Sequence, residues 1–208
     1  MAKKKVVIGC QDFAIRTQEG NGRTEPGEVI KIPGLQEIEL EIESDQGKVF
    51  ADNETALVLN SGVTGATVTG NFVELSSEER AELLGVTVEN GIEKYLKDLV
   101  PPYVSASWKY RCNDGSYIYF GVTRGNFGLP SSSAETLEDE APEQQDQVEL
   151  EGTFIPRESD GLVYARIHDQ NEEFDEQTFM QLIHGESVNL GDAESGDDAT
   201  PSAWWRWW

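Results

Sequence analysis

The sequence predicts a mainly β protein: an antiparallel β-sandwich or barrel with one short flanking α-helix, a long loop and a disordered acidic C-terminal tail. Two observations carry that expectation. Short stretches of alternating or β-branched residues recur along the chain, divided by Gly, Pro, Asn and Asp turns. Only one stretch carries complete helix start and stop signals. With 208 residues, the chain is long enough for one substantial domain with a real core plus appendages.

Residues 1–34 are rich in Gly and charge and end in Ile32-Pro33-Gly34, which reads as an N-terminal arm or long loop before a domain spanning 35–184. Glu37-Ile38-Glu39-Leu40-Glu41-Ile42-Glu43 alternates strictly, the pattern of a half-buried strand. Ile38, Leu40 and Ile42 then face a core and the four glutamates share the opposite face. Asp45-Gln46-Gly47-Lys48 reads as a turn, followed by a strand over Ala56 to Leu59 and another from Gly65 to Leu75. Ser76 opens the helix, with Glu79 three residues on completing a capping box and Gly85 stopping it about two turns later. Pro101-Pro102 breaks the chain before a strand over Tyr103 to Tyr110. Asn113-Asp114-Gly115-Ser116 is a hairpin turn, and Tyr117 to Val122 is the returning strand. The polar, acidic stretch 130–147 reads as a long mobile loop. Strands follow at Val148 to Ile155 and Leu162 to His168 around the turn Glu158-Ser159-Asp160-Gly161. Phe174, Phe179, Leu182 and Ile183 mark a last short element, helical or extended. Residues 185–208 read as a flexible acidic tail ending in Trp204-Trp205-Arg206-Trp207-Trp208. Such an end could anchor to a membrane interface or a partner groove, or be a flexible end with no role in the fold.

Charge narrows the function classes. Sixteen Lys and Arg face 39 Asp and Glu, a formal net charge of −23. That surface repels DNA and anionic membranes while keeping the free chain soluble. Cys10 and Cys112 have no CxxC neighbour and no histidine cluster, so both are expected reduced and packed as small apolar groups. Lys3-Lys4-Lys5 before Val6-Val7-Ile8-Gly9-Cys10 mimics a lipoprotein signal. Its apolar run is far short of the roughly 7–15 residues such a signal needs. No window approaches a membrane span, and folding in the cytoplasm is the expectation.

No motif supplies catalysis. Glu37, Glu39, Glu41 and Glu43 share one strand face and one solvated environment, whereas an acid/base pair needs environments that separate its pKa values. His168 and His184 have no nucleophile context and read as ordinary surface or strand residues. No phosphate loop, Ca²⁺ loop or HExxH motif occurs. No catalytic, cofactor-binding or metal-binding residue is therefore expected, and no cofactor.

The order of parts resembles the major tail (tail tube) proteins of long-tailed siphophages. Val49-Phe50-Ala51-Asp52-Asn53-Glu54 looks like that family's "YADN"-type segment, with Phe50 where the family often has Tyr. Gly62-Val63-Thr64-Gly65-Ala66-Thr67-Val68 is followed by Val73-Glu74-Leu75-Ser76, the helix and Leu84-Gly85. Pro101-Pro102-Tyr103, Asp114-Gly115, Glu135-Thr136 and Leu150-Glu151-Gly152-Thr153-Phe154 complete the series, over roughly residues 30–170. The tail beyond Gly185 departs from the pattern.

The resemblance implies a virion protein, not an enzyme, that is assembled in the host cytoplasm. Its β-sandwich subunits would form six-fold rings and stack into the tail tube. One sheet of each subunit would join a continuous barrel around a lumen that houses the tape-measure protein and passes double-stranded DNA during ejection, without gripping it and with no membrane involved. Its partners would be itself, the tape-measure protein, and the tail terminator and distal tail proteins. On this view Glu37, Glu39, Glu41 and Glu43 are candidates for the lumen wall. Pro130, Ser131, Glu138, Asp139 and Glu140 of the long loop, with Arg16 and Arg23 of the arm, are candidates for contacts between rings. The main alternative is an acidic β-barrel binding module that mimics DNA and captures a basic protein. A tube subunit of a contractile or secretion apparatus is a third possibility, and a carboxylate-dependent hydrolase the last.

Overall fold

A computed structural model describes residues 5–21, 24–51, 54–130 and 148–185, with the side chains of 46–61 outside the description. The fold is mainly β, as expected, and the described strand pairs are all antiparallel. The strands are β1 (Val7–Thr17), β2 (Val29–Lys31), β3 (Leu35–Ala51), β4 (Glu54–Phe72), β5 (Thr87–Glu89), β6 (Ile92–Lys94), β7 (Val104–Cys112), β8 (Tyr117–Phe127), β9 (Val148–Phe154) and β10 (Tyr164–His168). Helix α1 spans Ser77–Leu84 and α2 spans Glu176–His184. One large sheet runs in the order β2-β1-β7-β8-β9-β4-β3, with β10 on the first half of β8, and β5 and β6 form a separate hairpin.

The large sheet curls until its two ends face each other across one core. Phe13 on β1 meets Phe72 on β4 edge to face, with ring centroids 5.1 Å apart. Trp108, Phe120, Phe127, Leu150 and Phe154 fill the space between. The ends are not laddered together; the Tyr110 hydroxyl instead donates to the Ile38 carbonyl at 3.1 Å. Two of the sheet's glycines are required by this packing. An added Cβ at Gly152 would lie 2.7 Å from the Phe127 ring, and one at Gly125 would lie 2.5 Å from Phe154 Cδ1.

The helix at Ser76 forms as its sequence dictates. The Ser76 side chain accepts from the Glu79 backbone, Glu79 returns a bond to the Ser76 N–H at 2.7 Å, and Gly85 ends the helix with φ of 72°. The second helix settles the 174–183 element as helical. Asp175 caps α2 by accepting from Thr178 N–H at 2.7 Å. Phe179, Met180 and Ile183 pack on Tyr119 to make a second apolar cluster on the outside of the sheet.

Several expectations are corrected. Residues 1–34 are not an arm: β1 lies inside the large sheet between β2 and β7, with Phe13, Ala14 and Ile15 buried. Asp45-Gln46-Gly47-Lys48 is not a turn, because β3 runs straight through it to Ala51. The two strands expected between Ala56 and Leu75 are one long strand, β4, paired with β3 along its length. His184 is not a surface residue but is fully buried under α2. Both cysteines are free, as expected, with Cys112 buried. The mobile loop expected over 130–147 lies outside the described residues apart from Pro130, Val148 being the first described residue after it, and the tail beyond Gly185 lies outside them as well.

Candidate functional site

The two halves of the large sheet have different outer faces. Over β1, β7 and β8 the outward residues sit under α2, and register decides which they are. Ile15 pairs with Ala106 and both face the core, so the neighbouring pairs Ala14–Ser107 and Arg16–Ser105 face outward. His184, in the last turn of α2, reaches down between the two serines. Its Nδ1 lies 2.8 Å from Ser105 Oγ and its Nε2 lies 2.8 Å from Ser107 Oγ. Gln18 donates to Ser105 Oγ at 2.7 Å, and the Ser105 hydroxyl itself lies 3.4 Å from the Arg16 carbonyl. Ser107 in turn donates to Met180 Sδ at 3.6 Å. Burial, and then the adjacent Arg16 guanidinium, push His184 down to about 3. The imidazole is therefore neutral and structural.

Arg16 shares in that clamp. It is 7% exposed, and it donates through Nε to the Gly27 carbonyl at 2.8 Å and through Nη1 to the His184 carbonyl at 2.6 Å. Arg157 Nη1 takes the Leu182 carbonyl at 2.9 Å, so two arginines satisfy the open C-terminal end of α2. This removes Arg16 from the inter-ring candidates, since its guanidinium is spent inside the fold. Pro130 is half-buried at the end of the described chain, while Ser131, Glu138, Asp139, Glu140 and Arg23 lie outside the described residues.

No helix among the described residues lies on the other half, the outer face of β3, β4 and β9, and that face is acidic. Cross-strand partners point to the same side of a sheet, so the register assembles three rungs. Glu37 pairs with Asn71 and Asn71 with Glu149; Glu39 with Thr69 and Thr69 with Glu151; Glu41 with Thr67, Thr67 with Thr153 and Thr153 with Asn126 on β8. Glu43 extends the column, accepting from Thr67 Oγ1 at 3.0 Å, and Glu37 accepts from Asn71 at 3.5 Å. All six glutamates are exposed, and none of the residues on these rungs is basic. The opposite residues of β3 behave as expected only near the core: Ile38 is buried and Leu40 half-buried, but Ile42 is 44% exposed.

The sequence pointed to four of these glutamates. Glu149 and Glu151 were missed as members of the face, although β9 itself was expected. They join it only through the β4–β9 register, whose local signal is the alternation of exposed and buried residues in Val148–Phe154.

The face presents carboxylates with threonine and asparagine side chains between them. Successive same-face glutamates have their Cα atoms about 6.6 Å apart along β3. Among the described residues no group of His, Cys, Asp and Glu is arranged to hold a metal. His168 does meet charged groups, with Lys5 Nζ 2.9 Å from its Nε2 and Asp169 beside its Nδ1 at 3.0 Å. It stands on β10, away from the acidic face. No described helix is long and apolar enough to cross a membrane.

The face also ends in an open edge. β3 pairs only with β4, so its outer N–H and C=O groups have no ladder partner among the described strands. Fold and site together define a curled antiparallel sheet with an acidic outer face at an unpaired edge. No protein-family model matches the chain, and comparison with curated proteins gives no match.

Proposed function

We propose that this chain is a structural subunit that assembles edge to edge into rings and stacks them into a tube, as a phage tail-tube protein does, with the β3–β4–β9 face lining the bore. The observation that carries this reading is the acidic face, without a helix over it or a strand paired to its β3 edge among the described residues. A long open strand edge is an aggregation hazard unless something pairs with it, and ring closure removes it. The same face is unsuited to gripping DNA. With a screening length of about 8 Å at physiological salt, its repulsion acts near the wall and leaves the centre of a bore passable.

Dimensions agree with this. Each subunit would contribute β3, β4, β9 and the second half of β8. At about 4.8 Å per strand, six such subunits make a wall about 115 Å round and so roughly 37 Å across, before strand tilt widens it. That bore accepts a double helix past the glutamate side chains.

Negative-stain electron microscopy of the purified protein, dilute and then concentrated, tests the proposal. Rings or tubes with an open central channel are expected. Compact particles at every concentration that bind basic proteins would replace it with the acidic binding module.

A further inference from the structure

We infer that Asn90 is a self-modification site, where attack by the Gly91 backbone nitrogen converts the side-chain amide into a mixture of aspartate and isoaspartate. The reaction needs no partner chain and does not depend on the assembly proposed above.

The sequence has four places where Asn or Asp precedes Gly: Asn21-Gly22, Asn90-Gly91, Asp114-Gly115 and Asp160-Gly161. Glycine in second place leaves its backbone nitrogen unhindered, because it carries no Cβ. The structure holds three of the four back. Asn21 Nδ2, the nitrogen that would leave, donates to the Pro101 carbonyl at 3.0 Å. Asp114 accepts from the Ser116 hydroxyl and from the Ser116 N–H, the latter at 3.1 Å. Asp160 takes the Arg157 guanidinium at 2.6 Å and accepts from the Leu162 N–H at 3.1 Å. The Ser116 bonds hold Asp114 at about 2, and the Arg157 guanidinium holds Asp160 at about 2. Both are therefore ionised at neutral pH, and a carboxylate resists attack by a nucleophile.

Asn90 has neither safeguard. It and Gly91 are the turn residues joining β5 to β6, at φ of 53° and 77°, the left-handed pair of a tight hairpin. Both are exposed. Neither the Asn90 carboxamide nor the Gly91 N–H has a hydrogen-bond partner among the described residues. The hairpin has three residues in each strand and belongs to no larger sheet. Such a ribbon is marginal in water and opens far more readily than a core strand. Opening gives Asn90 the freedom to bring Cγ onto the Gly91 nitrogen.

The chemistry needs only water and hydroxide. Hydroxide removes the Gly91 amide proton, and the nitrogen then bonds to Asn90 Cγ. The Cγ–Nδ2 bond breaks, and Nδ2 leaves as ammonia with a proton from water. Water opens the resulting cyclic imide at either carbonyl. Breaking the new Cγ–N bond gives aspartate, whereas breaking the original peptide bond gives isoaspartate.

The products differ in consequence. Aspartate adds a negative charge beside Glu89, which is paired with Lys94. Isoaspartate routes the main chain through Cβ and Cγ, so the turn is too long to keep Glu89 opposite Ile92. That loosening reaches α1, because Glu93 accepts from Ser77 Oγ at 2.7 Å and stands 3.7 Å from Arg80.

The test incubates the full-length chain in mildly alkaline buffer, both folded and in urea. Peptide mass spectrometry follows conversion, with fragmentation that separates aspartate from isoaspartate. Trypsin releases residues 81–94, whose only Asn is Asn90, and residues 17–23, whose only Asn is Asn21. Digestion at mildly acidic pH prevents conversion during work-up. In the folded chain Asn90 is expected to convert several-fold faster than Asn21, and the difference should shrink in urea. Asn90 converting no faster than Asn21 when folded, or a difference unchanged by urea, overturns the site. Isomerisation at Asp114 or Asp160 as fast as conversion at Asn90 overturns it as well. Hydrogen exchange over residues 87–94 should be faster in converted chains; unchanged exchange would overturn the consequence for the hairpin.

Discussion

Replacing His184 with Gln should change the stability of this protein in a pH-dependent way, and the size of the change follows from where the imidazole sits. His184 is fully buried and held near 3 by burial and by Arg16, against an ordinary value of about 6.5. The folded pKa is depressed, so below pH 6.5 the unfolded chain takes a proton that the folded chain refuses. Stability then falls as pH falls, by about 1.4 kcal/mol per pH unit once below 6.5. Between pH 7.5 and pH 5.0 the wild type should lose about 2 kcal/mol through this one group. Asp160, held at about 2 by Arg157, titrates well below that window, and terms common to both proteins cancel in the comparison. The assay is urea unfolding of wild type and His184→Gln at both pH values, followed by circular dichroism. The wild-type advantage at pH 7.5 should shrink by about 2 kcal/mol at pH 5.0, roughly a 1 M shift in relative midpoint for a slope near 2 kcal/mol/M. An advantage unchanged with pH would mean that His184 is protonated or solvated in the folded state, and the Ser105–His184–Ser107 clamp would be wrong.

Other outcomes follow from single features. Gly121→Ala places a Cβ 2.6 Å from Ile183 Cδ1, so α2 must shift; a loss of about 1–3 kcal/mol in urea unfolding is expected, with faster hydrogen exchange in α2. Ser76→Ala removes the capping box of α1 and should cost about 1 kcal/mol, measured the same way. Replacing Glu37, Glu39, Glu41 and Glu43 with Lys removes no core contact; the fold and the assembled particle should survive, while binding of duplex DNA should rise from negligible to strongly salt-dependent, as read by filter binding.

What the sequence revealed was what local chemistry encodes. The alternation at Glu37–Glu43 and the Ser76–Glu79 box each decide an outcome within a few residues: the strand and the capped helix form as expected, although Ile42 stays exposed. β1 was hidden because its signal is broken locally. Asp12 adopts a positive φ of 56°, the pairing with β7 slips between Gln11 and Ala14, and the run from Phe13 to Thr17 is buried on both faces. A strand covered by the core on one side and α2 on the other has no alternation to read. Arg16 looked like a surface cation because nothing nearby in sequence announces that it will cap a helix end 168 residues away. The turn expected at Asp45–Lys48 lost to cross-strand pairing, which absorbs its Gly and Asp into a strand at the cost of register shifts. The acidic face was legible only in part, because its β9 glutamates join it through long-range register.

The most direct test of the account is an electron cryomicroscopy reconstruction of the assembled particle that traces individual strands. The account predicts that the Glu39–Thr69–Glu151 rung faces an open bore and that the β3 edge pairs with a neighbouring copy. A reconstruction with that rung on the outer surface, or with β3 still unpaired, would contradict it.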